Sequence, residues 1–378
     1  MPPKAPHGPS ALALTRVRLE SFKAAHKPKA IAVGAFTAII GRNGSGKSTL
    51  LEALQWVDTA LRRDAVAACD RYAGIHDLCN LRSQATPPYF ALEFLFGGGR
   101  NGLRYSLRVR EDQDGTTPVV EDECLSTGRG QSRTVLVDAP LATDRLGLSQ
   151  ASATETHGVR DFWKRAVFLR LNPSSLSQGS PPRRTSTQPL LDEQGEMLPA
   201  LLGDLTEDQR AEVARGLSEM LSGIRGVALS KPAAHRSERI HYELIEEMPY
   251  RGRSGQKQFR IPAWMLSEGT RRLTALLALL ARTPPPSLLC IEELENGLDP
   301  WCVRSVVDRL KLAATTGTQV IVTTHSPWVL DMLALDEIVR VRRIKGNSVY
   351  ERFGDLAEVR AFADGIPPGT RFTQLENG

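Results

Sequence analysis

The chain has 378 residues, 41% hydrophobic and 24% charged, with a formal net charge of +5. That length is enough for two or three domains or one large α/β unit with insertions, and the mild basicity permits nucleic-acid contact without arguing for it. No apolar run approaches the roughly 20 residues of a membrane span. The five cysteines (Cys69, Cys79, Cys124, Cys290, Cys302) form no C-x-x-C pair, which excludes a zinc hook and a disulfide framework.

Residues 1–11 read as a disordered tail with no hydrophobic segment of the signal-peptide kind, so a reducing, cytoplasmic setting is expected. Residues 12–22 alternate apolar and polar as a half-buried strand does, and 30–40 form the next strand. The second strand leads into Gly41-Arg-Asn-Gly-Ser-Gly-Lys-Ser48, where Gly41, Gly46, Lys47 and Ser48 fill every fixed position of G-x-x-x-x-G-K-[ST]. Behind it, Ser48 to Trp56 has the pattern of a helix. Glycines let backbone N–H groups turn towards phosphate oxygens, the helix N-terminus adds positive potential, Lys47 supplies a cation, and the Ser48 hydroxyl can ligate Mg²⁺. Gly41, Asn43, Gly44, Ser45, Gly46, Lys47, Ser48 and Thr49 are therefore the expected contacts of a nucleoside triphosphate.

Residues 60–85 are mixed and polar, with short helices and loops. Phe90, Leu92, Phe94 and Phe96 lie on one face of a strand, and Leu103, Tyr105, Leu107 and Val109 repeat that period after a glycine-rich turn. Runs at 118–125 and 133–138 extend the same sheet, so 12–138 reads as a nucleotide-binding lobe carrying an antiparallel β layer. The stretch 139–263 reads as an inserted, helical and mostly irregular lobe. It holds a polar segment of unassigned structure (139–160), an apolar one with embedded basic residues (162–171), and a long mobile loop (172–188). Arg183 and Arg184 in that loop are either a solvated pair or a contact for nucleic acid or a partner. Thr206-Glu-Asp-Gln209 opens an amphipathic helix over 206–223, followed by strands at 225–230 and 238–247. No sustained heptad pattern occurs.

The last expected unit, 264–346, carries acids and a histidine. Ser267-Glu-Gly-Thr270 opens a helix with Ser267 as N-cap, and a helix N-terminus attracts anions. Leu288-Leu-Cys-Ile291 is a buried strand ending in Glu292 and Glu293. The first of these acids suits a metal, and the second suits orienting and deprotonating a water. Val320 to Thr324 is another strand, ending in His325. Residues 347–378 suggest no role.

This order of motifs resembles ATP-binding-cassette-type heads of the SMC/RecF/OLD branch, and in particular its stand-alone "predicted ATPase" AAA-like proteins. The resemblance runs from Arg16-Val-Arg-Leu-Glu-Ser-Phe-Lys23 to about Arg343 and includes Phe168-Leu-Arg-Leu-Asn-Pro173 and Leu191 to Leu202. It implies an α/β, RecF/SMC-head-like P-loop NTPase with a mixed central sheet, an antiparallel β layer and a helical lobe. In it Gly41–Ser48 resembles the Walker A loop, Leu266–Thr270 the signature motif, Glu292 and Glu293 the Walker B acid and catalytic glutamate, Gly297–Pro300 the D-loop, and His325 the switch histidine. Two departures stand out: Glu292 replaces the aspartate of transporter cassettes, and Leu294 the proline that commonly follows the acid pair.

The resemblance further implies Mg²⁺-dependent ATP hydrolysis, with Lys47, Glu293 and His325 as catalytic residues and Ser48 and Glu292 on the metal. Ser267, Gly269 and Thr270 would complete the ATP site of a second copy in an ATP-sandwich homodimer or higher oligomer. The biological reading is a switch or clamp in prokaryotic antiviral defence, with a separately encoded effector such as a nuclease, and with DNA as a further partner but no membrane. A RecF-like repair ATPase is the alternative; a transporter subunit and a self-contained nuclease rank lower. Only 53 residues follow His325, fewer than a nuclease domain needs.

Overall fold

The computed structural model describes residues 12–27, 29–97, 102–113, 115, 117–127, 132–152, 154–181, 188–230, 239–248, 255 and 257–377. In chain order the elements begin with β1 (Leu14–Glu20), β2 (Ile31–Ala32), β3 (Phe36–Ile40), α1 (Lys47–Arg62) and α2 (Ala65–Asp70). Next come β4 (Tyr89–Phe96), β5 (Leu103–Glu111), β6 (Pro118–Thr127), β7 (Ser132–Thr143), α3 (Gly147–Gln150) and α4 (Thr154–Lys164). Then follow β8 (Ala166–Leu169), α5 (Pro173–Leu176), α6 (Leu198–Asp204), α7 (Glu207–Met220), β9 (Ile224–Ser230), β10 (His241–Glu247) and β11 (Gln258–Pro262). The remainder is α8 (Glu268–Leu280), β12 (Leu288–Ile291), α9 (Pro300–Thr315), β13 (Gln319–Thr324), α10 (Pro327–Leu330), β14 (Ile338–Ile344) and β15 (Asn347–Arg352). These elements form two units. One takes the described residues up to Lys164 together with Leu335–Ala357, and the other takes Arg165–Ala334 with the described residues from Glu358.

In the first unit a six-stranded sheet runs in the order β2-β1-β4-β5-β6-β7, every pair antiparallel. Its register follows from the period of two: Phe90, Leu92 and Phe94 of β4 stand opposite Val109, Leu107 and Tyr105 of β5, all on the buried face. Helix α1 lays Trp56 edge-on against Phe90, with ring centroids 5.2 Å apart, and α4 brings Trp163 and Phe162 against Phe94 and Phe96. All these rings are fully buried. The expected strand over 30–40 is two strands. Ile31–Ala32 pairs with β1, the chain then turns where the Gly34 N–H donates to Thr37 Oγ1 at 2.9 Å, and the wholly buried β3 pairs in parallel with β14. Strand β14 also pairs antiparallel with β15, so the sheet that carries the phosphate loop is mixed.

Strand β7 runs on to Thr143, into the stretch expected to lack assigned structure, because its ladder with β6 continues past the end of its own apolar pattern. Beyond it Glu123, fully buried on β6, accepts from Tyr105 Oη at 2.7 Å and from the amides of Gly147 and Leu148, which holds the first turn of α3.

In the second unit β8, β12 and β13 pair in parallel, with Cys290 between Phe168 and Ile321. All three are buried throughout, which is why they read as unbroken apolar runs, and Cys290 is a core residue. A separate antiparallel sheet has the order β11-β10-β9. Helix α7 begins with the capping box expected at Thr206 and Gln209. The stretch 139–263, expected to be mostly irregular, is instead largely regular and includes β8 to β11 and α3 to α7. Helix α7 and strands β9 and β10 follow the runs expected there, whereas β8 is too short to show a period and pairs with β12, far along the chain. Within the expected loop at 172–188, Asn172 caps α5 by accepting from the Ser174 and Ser175 amides. Arg183, Arg184 and the expected tail at 1–11 lie outside the described residues.

Candidate nucleotide site

The first unit holds the phosphate loop. Gly44 and Gly46 adopt φ of 73° and 104°, the left-handed region that a side chain disfavours, and Gly46 is the N-cap of α1. A Cβ on Gly41 would collide with the Val341 carbonyl of β14, and one on Gly46 with Ser348 Oγ of β15. Glycine is therefore required at Gly41 by the neighbouring strand, and at Gly46 by the turn as well as by the neighbouring strand. Asn43 and Gly44 are exposed, Ser45, Lys47 and Thr49 are buried, and Ser48 is half-buried at the first turn of α1. Lys47 Nζ donates to the Gly41 and Arg42 carbonyls at 2.8 and 3.2 Å, so its ammonium is folded back over the loop. Among the described residues no side chain caps the first turn of α1. A left-handed glycine pair, a helix start without a side-chain cap and a cation over the loop together suit a phosphate chain.

The residues that hold this loop were not legible in the sequence. Ser348 Oγ donates to the Ser45 carbonyl at 2.6 Å, Tyr350 Oη to the Gly46 carbonyl at 2.8 Å, and the Ser348 amide to the Ala24 carbonyl at 2.9 Å. Arg343 reaches the Gly44 carbonyl at 3.4 Å. Burial, with the Glu52 carboxylate adding to it, raises the Tyr350 phenol far above its ordinary range, so it remains a donor. Strand β15, in a segment to which the sequence assigned no role, clamps the loop in place.

The second unit holds the acids and the histidine. Strand β12 ends at Ile291, and the Glu292 amide donates to the Leu169 carbonyl at 2.8 Å. Glu292 is mostly buried and faces the exposed Arg170, at 3.5 Å. Glu293 has φ of 50°, a strained value for a residue with a side chain, held because its amide donates to Thr323 Oγ1 at 2.9 Å. Asn296 Nδ2 donates to Glu293 Oε2, and Glu293 Oε1 lies 3.4 Å from His325 Nε2. The structure thus brings Glu293 and His325 together at the carboxyl ends of two adjacent parallel strands, where ligands of open α/β sheets bind. Arg170, Asn296 and Thr323 complete this cluster, and nothing in the sequence signalled their proximity.

Ser267 caps α8 as expected, accepting from the Thr270 amide at 3.2 Å and sharing a 2.8 Å hydrogen bond with Thr270 Oγ1. Gly269 lies against the D-loop, where a Cβ would stand 2.6 Å from the Gly297 carbonyl. Gly297 is left-handed, at φ 69°, and Asp299 caps α9 by accepting from the Trp301 and Cys302 amides at 2.9 and 3.1 Å.

Residues 36–331 match the family profile described as "AAA domain, putative AbiEii toxin, Type IV TA system". The chain belongs to this AAA family. The AAA chain also shares its fold with solved SMC heads. The Smc head domain with a coiled coil and joint from Pyrococcus yayanosii superposes with a TM-score of 0.57 at 12% identity, covering 97% of this chain and 99% of that one. The Pyrococcus furiosus Smc head domain bound to the C-terminal domain of ScpA gives 0.54 at 16%, covering 90% and 96%. The curated relatives match over shorter stretches. The energy-coupling factor transporter ATP-binding protein EcfA2 of Mycoplasmopsis synoviae is 35% identical over 98 residues, and an ABC transporter G family member of Petunia hybrida is 30% identical over 145. Those matches cover 24% and 36% of this chain and only 30% and 16% of the relatives' own lengths. The fold is that of an ABC-type, SMC-head-like P-loop ATPase, and among the described residues there is no coiled-coil arm. Among the described residues no helix is long and apolar enough to cross a membrane.

Proposed function

We propose that this AAA chain hydrolyses ATP, that two copies close around the nucleotide, and that the assembly is a switch in prokaryotic antiviral defence acting through a separately encoded effector. The observation that carries the hydrolytic reading is Glu293, held in a left-handed backbone with its carboxylate 3.4 Å from His325 Nε2. A carboxylate so placed takes the proton of an attacking water, while the imidazole orients that water and donates to a phosphoryl oxygen. Lys47 neutralises phosphate charge from the loop. The Ser48 hydroxyl and the Glu292 carboxylate are the proposed Mg²⁺ donors; a bound ion would neutralise charge on the phosphate oxygens. Both are hard oxygen donors, as that cation requires.

The dimer reading rests on the start of α8, where Ser267 is exposed and Thr270 half-exposed at a helix N-terminus. Set against an ATP held by another copy, that turn would close the far side of the γ-phosphate. The defence reading is supported by the family description, which names a toxin of a type IV toxin–antitoxin system. The test of the chemistry is phosphate release by the purified chain with Mg²⁺ and ATP. Glu293→Gln should retain binding and lose turnover, and unchanged turnover would place the base elsewhere. For the biology, cells carrying the gene and its neighbouring reading frames are challenged with phage. Protection that disappears in Lys47→Ala supports defence, whereas sensitivity to DNA damage without phage protection favours the repair alternative.

A further inference from the structure

We infer that Glu295 is a positioning residue for the hydrolytic pair, setting His325 in place through its backbone. This deepens the proposed reading of Glu293 and His325 and rests on it. Strand β13 ends at Thr324, so His325 has left the ladder that would otherwise fix its main chain. Its amide donates instead to Glu295 Oε1 at 2.7 Å, thirty residues away in sequence.

Glu295 belongs to the turn that follows β12. That turn is tied to the end of β13 at three points: the Glu293 amide on Thr323 Oγ1 at 2.9 Å, the Leu294 amide on the Thr323 carbonyl at 3.1 Å, and Glu295 on His325. It is closed on itself by the Asn296 amide on the Glu293 carbonyl (3.0 Å) and the Leu298 amide on the Glu295 carbonyl (3.1 Å). The first two ties orient Glu293. Glu295 makes the third, and it alone of the three bears on His325. The base and the histidine are thus held to one another by the turn between β12 and α9.

The other carboxylate oxygen, Glu295 Oε2, is fully buried and meets no hydrogen-bond donor among the described residues. Leaving a buried acceptor unmet costs stability. A side chain retained at such a cost is explained by what its other oxygen does. Because only Oε1 is used, and only as an acceptor, the role requires an oxygen at that position and not a charge.

The test measures steady-state ATP hydrolysis, ATP binding and thermal melting for Glu295→Ala, Glu295→Gln, His325→Ala and the double variant Glu295→Ala/His325→Ala in the full chain. Glu295→Ala should lower kcat by about 10- to 100-fold, the scale of a misplaced catalytic group, with KM for ATP within about twofold. Glu295→Gln keeps an acceptor oxygen and should restore kcat to within about threefold of the parent. In the His325→Ala background, Glu295→Ala should add nothing, and in the single variant the amides of 325–326 should exchange faster with deuterium. Equal losses in Glu295→Gln and Glu295→Ala, or fully additive losses in the double variant, overturn the inference. Parental turnover in Glu295→Ala overturns it alone if Glu293→Gln and His325→Ala are still inactive. If those two turn over normally, the hydrolytic reading itself falls.

Discussion

Replacing Tyr350 by Phe tests whether β15 sets the phosphate loop. The ring is buried and phenylalanine fills the same space, so the change removes one donor and little packing. The lost bond is the 2.8 Å contact from the phenol to the Gly46 carbonyl. That carbonyl keeps the Thr49 amide at 3.2 Å, so it is weakened and not orphaned, and the cost should be the net worth of one hydrogen bond, about 1 kcal/mol. If the bond serves only the left-handed turn at Gly46, that energy appears as a fall of up to about fivefold in ATP affinity. In a unit of this size it also lowers the melting temperature by about 2–4 °C. Titration with a fluorescent ATP analogue and thermal melts read both quantities. Ser348→Ala, which removes the 2.6 Å bond to the Ser45 carbonyl, should act similarly, and the double variant should be non-additive because the two donors hold one loop. Parental affinity and melting in Tyr350→Phe would show that the loop does not depend on the clamp.

Lys47→Ala should abolish measurable ATP binding in calorimetry, and retained tight binding would remove the loop assignment. Glu293→Gln should bind ATP, lose at least about 100-fold in turnover and accumulate dimers on size exclusion; fast hydrolysis would refute the general-base role. Dimer closure is better probed at Ser267 than at Gly269, since a side chain at Gly269 would stand against the Gly297 carbonyl in its own subunit. Ser267→Arg should cost about 1 kcal/mol of cap stability and leave ATP binding by the monomer intact. It should also abolish ATP-dependent dimers, and dimers seen by light scattering would contradict the shared site. Burial above all, opposed by the Tyr105 hydroxyl and the Leu148 and Gly147 amides, raises the Glu123 carboxyl above its ordinary 4.5. A carboxyl raised by folding takes up a proton as the chain folds, so its contribution is greatest below about pH 4.5 and declines as pH rises through the raised value. Glu123→Gln should flatten that part of the stability curve in urea melts, leaving the slope from Asp58, raised by burial despite Arg62. An unchanged slope would assign the proton to another group.

Some parts of this molecule are written locally. The glycines of the phosphate loop, the acid pair after four apolar residues, the Ser267 cap, the capping box at Thr206 and the two-residue period of β4 and β5 each depend on neighbours within a few positions, so the sequence alone placed them. The chain's place among ABC-type heads followed from their order. Tertiary structure decided what lies far apart in the chain. Ser348 and Tyr350 reach carbonyls about 300 positions away, Glu295 reaches His325 across thirty, and the left-handed backbone of Glu293 is held by a hydroxyl on another strand. The halving of the expected strand at 30–40 likewise follows from which partner each half meets. A hydrogen bond between a side chain and a distant backbone group carries no side-chain period and asks nothing particular of the residue whose backbone takes part. Such contacts leave no mark in the sequence, and they are the ones that hold the loop and align the pair proposed to hydrolyse ATP.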